Sequence, residues 1–199
     1  MQEELVKDYY QLQVLFETAD AMGANFINSC LEQLAKTLQD QAANYAPFSE
    51  SEKQIEVVMS ILSNYTPGSR VKAWVSCPIS ELGEDGNILA KKIVQAVNIA
   101  HHNPYRAVTH NKGIMNAISA IAIACGQDWR AIESGAHSYA SHERTYGSLT
   151  HWESDEDGNL VGSIELPMAV GLVGGAVRVH PAAQSNVALL GISTADELA

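Results

Sequence analysis

The segment from Asn103 to Trp129 reads N-P-Y-R-A-V-T-H-N-K-G-I-M-N-A-I-S-A-I-A-I-A-C-G-Q-D-W and constrains the chain more than any other stretch. Its small and apolar residues have helix-like character, yet Arg106, His110, Lys112, Asn116 and Asp128 are set among them. Polar groups in an apolar surround cost free energy unless they are paired. A pocket in which a lysine faces a carboxylate is the economical arrangement. A lysine beside a carboxylate keeps its proton and can hydrogen-bond an oxygen on which negative charge builds, which is what carbonyl reduction needs. The competing reading is a surface lysine at a helix start and an aspartate that caps the following helix. One unbroken helix from Lys112 to Asp128 would separate the two by roughly 24 Å. Pairing within the chain therefore predicts that the segment doubles back near Asn116 to Ser119.

Around this stretch the apolar periodicity outlines an α+β chain. Leu12 to Glu17 (L-Q-V-L-F-E) reads as a strand, and Ile27, Cys30, Leu31, Leu34 and Leu38 recur at helical spacing from Phe26 to about Tyr45. A second helix is expected after Ser51, where S-E-K-Q resembles a capping box ahead of Ile55, Val58, Met59 and Leu62. Asn64 to Ser69 is a turn. Val71, Ala73 and Val75 alternate with Arg70, Lys72 and Trp74, as in a half-buried strand. Strand, helix, helix, strand is the order of a small α+β unit, placed at residues 1–75, with a larger domain at 76–199. In that domain Leu89, Ile93, Val97 and Ala100 mark a helix that stops before Pro104. Residues 131–143 form another, and Leu149 to Glu153 and Leu160 to Leu166 flank a D-E-D-G-N hairpin turn. Pro181 opens a last helix.

Charge and cysteine usage narrow the function classes. The net charge of -11 argues against a nucleic-acid partner, and the acidic residues are spread along the chain as a solubilising surface. Cys30, Cys77 and Cys125 are far apart and lack C-x-x-C spacing, as expected of reduced thiols in the cytoplasm. No apolar run approaches the roughly 18 residues of a membrane span.

Smaller motifs bear on ligands. D-A-M-G-A-N at 20–25 joins the first expected strand to the first helix, where free N–H groups and the helix dipole suit a phosphate, although such turns are also plain helix caps. V-G-L-V-G-G at 170–175 lacks the setting of a dinucleotide fingerprint and reads as a bend or a close backbone crossing. No metal is expected: the histidines include no H-E-x-x-H, and Asp155 to Asn159 has its glycine at the wrong place for a calcium loop. Ser134 and Ser148 lack the flanks of a serine nucleophile.

Taken together, D-A-M-G-A-N at 20–25, P-Y-R-A-V-T-H-N-K-G-I-M-N at 104–116, G-Q-D-W-R-A at 126–131 and L-P-M-A-V-G-L-V-G-G-A at 166–176, followed by H-P at 180, resemble hydroxymethylglutaryl-CoA reductase in its class II, bacterial degradative form. The resemblance runs from about Leu15 onward. It implies an NAD(P)-dependent enzyme that interconverts hydroxymethylglutaryl-CoA and mevalonate by two hydride transfers, without a metal. By position it implies Lys112 and Asp128 as catalytic residues, and Arg106 and Asn116 as contacts to the hydroxymethylglutaryl part. Asp20, Met22, Gly23, Ala24, Asn25 and Asn64 are implied as contacts to NAD(H) or NADP(H), with Gly171, Gly174 and Gly175 walling that site. The fold implied is a partial ferredoxin-like nucleotide domain beside part of a CoA- and substrate-binding domain. A dimer-based homo-oligomer is implied as well, because the family builds its active site between subunits. Departures are equally specific. The family's catalytic glutamate in E-N-V-I-G and its C-terminal histidine segment have no counterpart, His180 matches a different H-P position, Ala117 replaces a usual glycine, and Gln127 replaces a common asparagine. The resemblance thus implies a fragment that is inactive or weakly active alone. Its rival is a non-catalytic remnant that acts as a binding or assembly module.

Overall fold

The computed structural model describes residues 9–142 and 145–199. The chain divides into two compact units, 1–62 and 63–199. The break thus falls ahead of the strand at 70–78, where the sequence placed a boundary after Val75. That strand belongs with the second unit because its hydrogen-bonding partner lies there.

The first unit is built on helix α1, Ala24–Asn44. No strand forms over Leu12 to Glu17. A strand needs a ladder partner, and none of the unit's described residues supplies one; Phe16 instead packs edge-on against Phe26. The helix expected after Ser51 is also absent. The cap forms two residues earlier and closes a single turn: the Ser49 N–H and hydroxyl both donate to Glu52 Oε2, at 2.8 and 2.6 Å. The β-branched run that follows lies back along α1. Gln39 donates to the Ile55 carbonyl, the Ser60 hydroxyl to the Leu31 carbonyl, and the Leu62 N–H to Asn28 Oδ1, so the partners step down α1 as the segment advances. Ile55, Val57, Ser60 and Leu62 are half-buried between exposed neighbours, an alternation that suits an unwound segment lying on a helix.

The second unit holds an antiparallel sheet of β1 (Arg70–Pro78), β2 (Thr150–Ser154) and β3 (Asn159–Pro167), in the order β1-β3-β2. The hairpin is the expected one. Asp155 accepts from the Asn159 N–H and side-chain amide, and Gly158 takes the left-handed conformation (φ 84) that the turn requires. Trp152 lies flat over its cross-strand partner Gly162, where an added Cβ would meet the indole at 2.6 Å. Helices α2 (Gly86–His102), α3 (Pro104–Ala124) and α4 (Trp129–Tyr139) pack with the sheet, and α5 (Gly175–Val179), α6 (Pro181–Leu190) and α7 (Ala195–Leu198) complete the unit. The helix expected over 131–143 begins two residues earlier, and Glu143 lies outside the described residues.

Helix α3 is the axis of the second unit. Asn103 caps it by accepting from the Arg106 N–H, and Pro104 occupies its first turn. Ala107, Asn111, Met115 and Ala122 line its buried stripe. Met115 and Ala122 join Ile132 and Ala136 of α4 and its C-cap Ala140 with Leu149, Leu166 and Val170 in one core. The helix does not double back at Asn116 to Ser119. Ala117, Ile118, Ser119 and Ala120 contain no proline or glycine to break it, and continued burial of Ile118 and Ala122 favours propagation. It ends instead at Gly126 (φ 70), with Gly126 N–H bonded to the Ile123 carbonyl and Gln127 N–H to that of Ala122.

Candidate active site

Lys112 and Asn116 stand one helical turn apart on an exposed flank of α3, and Arg106 is exposed near the helix start. Asp128 lies beyond the helix end and is the N-cap of α4, its carboxylate accepting from the Ala131 N–H at 3.1 Å. The twelve residues from Lys112 to Ala124 rise about 18 Å along the helix. Among the described residues no ion pair joins Lys112 to Asp128. The intramolecular pair expected from the sequence is therefore not formed, because the segment that had to bend stays straight.

What the fold does bring together is Gln127, the neighbour of Asp128, and the glycine-rich segment. Gln127, the residue before the aspartate, donates from Nε2 to the Gly171 carbonyl and accepts from the Gly171 N–H on Oε1, both at 2.9 Å. This two-way amide clamp ties the 170–175 stretch to the α3–α4 turn. Gly126 carries the same packing further: a Cβ there would meet Ala183 at 3.0 Å and the Val177 nitrogen at 3.2 Å. Asn186 of α6 donates to the Ala124 carbonyl at 2.8 Å. The result is an open cavity of about 370 Å³ flanking Asp128, lined by Gln127, Trp129, Ile123, Ala176, His180 and Asn186. Gly174 and Gly175 both have positive φ (80 and 61), a backbone path that side-chain-bearing residues rarely follow. Asp128 itself does not line this cavity; its two neighbours, Gln127 and Trp129, do.

Behind Lys112 the helix is braced by Asn111, which the sequence reading gave no role, and by His110, which it singled out without a partner. Asn111 is fully buried, and its side chain donates to the Gly147 carbonyl (2.9 Å) and accepts from the Leu149 N–H (3.0 Å). His110 Nε2 lies 2.8 Å from the Thr150 hydroxyl. Burial holds the His110 pKa below its ordinary value, and the nearby Arg106 guanidinium lowers it further. Both residues fix the 147–150 loop to α3 and so set the helix that carries Lys112. The signal for them was weak: in H-N-K the lysine drew the chemical reading, and only burial separates Asn111 from an ordinary helix-surface amide.

In the first unit, Asp20 to Asn25 form the turn into α1. Gly23 is left-handed (φ 82) and stands at the N-cap, where glycine has no side chain to accept a hydrogen bond. Asp20 and Asn25 are exposed, and Met22, Gly23 and Ala24 are half-buried. The positive end of a 21-residue helix dipole lies at this turn. Asn64 belongs to the second unit, where its carbonyl crosses α4 so closely that a Cβ on Gly135 would meet it at 2.9 Å. Among the described residues no group of three His, Cys, Asp or Glu could hold a metal ion, and Asp155 serves the hairpin turn. Cys30, Cys77 and Cys125 are free thiols. No helix of the described residues is long and apolar enough to cross a membrane.

Comparison with known proteins adds an independent line. The family model for hydroxymethylglutaryl-coenzyme A reductase matches residues 1–199. The 3-hydroxy-3-methylglutaryl-coenzyme A reductase of Archaeoglobus fulgidus is 42% identical over 188 residues, which cover 94% of this chain and 40% of that protein. A probable reductase of the same name from Borreliella burgdorferi is 34% identical over 190 residues, with 94% of this chain and 41% of that protein covered. Among solved structures, the class II reductase of Streptococcus pneumoniae bound to NADPH in open conformations superposes with a TM-score of 0.79 at 41% identity, covering 92% of this chain and 47% of that one. The chain spans less than half the length of these relatives.

Proposed function

This chain belongs to the hydroxymethylglutaryl-coenzyme A reductase family, and we propose that it carries the lysine and aspartate of a reductase site that interconverts hydroxymethylglutaryl-CoA and mevalonate. The observation that carries this reading is Lys112 and Asn116 one turn apart on the exposed side of α3, with Asp128 held at the N-cap of α4. Lys112 presents its ammonium to the thioester or aldehyde oxygen, on which negative charge builds, and supplies the proton that oxygen takes up. Asn116 donates to the same substrate from one turn along, and Arg106 meets its carboxylate. A bound nicotinamide cofactor, NAD(H) or NADP(H), supplies the hydride; the NADPH complex of the pneumococcal relative supports such a cofactor here. The α1 N-terminus at Asp20 to Asn25 offers its phosphate a set of N–H donors.

Asp128 keeps the lysine protonated and tunes its acidity. Since α3 is straight, the Asp128 that meets a given Lys112 comes from a second copy of the chain, which makes the working site a property of a dimer. Alone, the chain works without the family's upstream glutamate and C-terminal histidine. Each missing proton-handling group lowers turnover by about 10² to 10⁴-fold.

The direct test is calorimetric titration with hydroxymethylglutaryl-CoA and with NADPH, followed by an assay of NADPH oxidation. Micromolar binding with slow turnover is the expected result, and Lys112→Ala should abolish the substrate signal. No heat with either ligand at millimolar concentration would overturn the reading. Turnover matching that of a full-length relative would overturn the incompleteness.

A further inference from the structure

We infer that the open cavity on the polar face of the sheet, around Lys72, binds a phosphate-bearing small molecule at a site separate from Lys112 and Asp128. The cavity measures about 380 Å³ and lies wholly within the second unit. Small-molecule pockets run from roughly 300 Å³ upward. The ladder register builds its floor. Lys72 of β1 stands opposite Glu165 of β3, and Ser163, two residues back along β3, stands opposite His151 of β2. Directly paired residues share a face, as do residues two apart on one strand. All four therefore project from the side opposite Leu160, Gly162 and Leu166, which are buried. His101 in the last turn of α2 and His142 just after α4 line the same space, so three of the chain's seven histidines converge on one cavity.

What marks the cavity as a site for an anion is how its charges are spent. Glu165 is the one carboxylate among its described lining residues, and it is already engaged: Oε1 accepts from Arg70 Nη1 and from the Tyr139 hydroxyl, each at 2.9 Å. Lys72, its direct cross-strand neighbour, has no ion pair or hydrogen bond among the described residues. The Ser163 hydroxyl has no hydrogen-bond partner among them either. With Arg70 balancing Glu165, the Lys72 ammonium is a net positive charge at the cavity. The imidazoles around it are held in place. His142 donates from Nδ1 to the Tyr139 carbonyl at 2.8 Å and stacks on the Tyr139 ring at 4.3 Å. His151 lies 3.5 Å from Glu153, and its ring centroid is 6.0 Å from that of His101. Donors that arrive from several elements suit the tetrahedral oxygens of a phosphate, whereas a carboxylate offers two oxygens in one plane. At a net charge of -11 the chain as a whole repels anions, so saturable anion binding has to come from a local cluster of donors such as this one.

The test is calorimetric titration of the full chain with inorganic pyrophosphate in the absence of divalent cations. Saturable one-to-one binding is expected. Lys72→Met, at an exposed strand position, should weaken it at least about 10-fold, the loss that follows removal of a charged donor. Ser163→Ala removes a neutral donor and should weaken it about 5-fold. Both variants should melt at the parent temperature. Lys112→Ala should leave pyrophosphate binding unchanged, which separates this cavity from the proposed reductase site. Absence of saturable heat at millimolar pyrophosphate would overturn the inference, as would binding indifferent to both Lys72→Met and Ser163→Ala. Equal weakening by Lys112→Ala would move the anion to the other site, and equal weakening by Lys91→Met, at an exposed position of α2, would reduce it to diffuse attraction; either result overturns the inference. Malonate bound as tightly as pyrophosphate would also overturn it, by making the site one for carboxylates. A chain that binds pyrophosphate here and gives no signal with hydroxymethylglutaryl-CoA keeps this site and loses the proposed reaction.

Discussion

The two faces of α3 carry adjacent residues with opposite fates. Asn111 is wholly buried, with its amide bonded on both sides, while Lys112, one residue on, is exposed with no ion pair to Asp128. The inward face is finished: Met115 is 2% exposed and Ala107 and Asn111 are fully buried. The outward face keeps isoleucines in water beside a lysine and an asparagine. Stability is therefore concentrated on one side of the helix and candidate chemistry on the other, so substitutions on the two faces should separate cleanly.

The largest expected effect is on the outward side. In an assay of NADPH oxidation with hydroxymethylglutaryl-CoA, Lys112→Ala should lower turnover by about 10² to 10⁴-fold relative to the parent and leave denaturant stability within about 0.5 kcal/mol of it. A substantial loss of stability with little loss of rate would break the comparison. On the inward side the signs reverse. Met115→Ala should cost about 2–5 kcal/mol in equilibrium unfolding, through lost contacts and the cavity left behind. Asn111→Ala should cost about 1–3 kcal/mol by stranding the Leu149 N–H and the Gly147 carbonyl.

Asp128 sharpens the comparison because it belongs to both roles. Asp128→Ala removes a helix cap and should cost about 1 kcal/mol. Asparagine caps a helix as well as aspartate does, so Asp128→Asn should restore that stability while leaving turnover low. Recovery of turnover along with stability would reduce the residue to a cap.

The smallest effect is the pH response of His110. Burial and Arg106 set its folded pKa below that of the unfolded chain, so the unfolded state takes up the proton first as pH falls. The stability contribution is fully present above about pH 6.5 and is lost as pH drops through that value toward the lower folded pKa. Thermal melts between pH 8 and pH 5 should show this decline, and His110→Gln should flatten it. An unchanged slope in the variant would assign the pH response to other groups.

Where an apolar pattern could be satisfied locally, the sequence was readable. The α1 and α2 stripes, the D-E-D-G-N hairpin and the proline-led start of α6 all form as their spacing indicates. The misreadings share a cause. Leu12 to Glu17 and Ile55 to Leu62 are short apolar runs whose state depends on what lies alongside, and a strand without a ladder partner is not a strand. Asn28, Leu31 and Gln39 decide the second of these by bonding to its backbone and side chains from α1. The Gln127 clamp on Gly171 joins residues 44 positions apart, which no local spacing announces.

By itself the sequence determined the residue chemistry: four separated motifs, a lysine and an aspartate at a fixed interval, and an acidic α+β chain of the reductase family. Only the tertiary structure decided how that interval is spent. Local propensity and the continued burial of Ile118 and Ala122 keep α3 straight, so Lys112 and Asp128 do not meet within the unit, and Asp128 instead caps α4. A side chain's type is set residue by residue, but its partner depends on long-range packing, which has no signature in neighbouring positions.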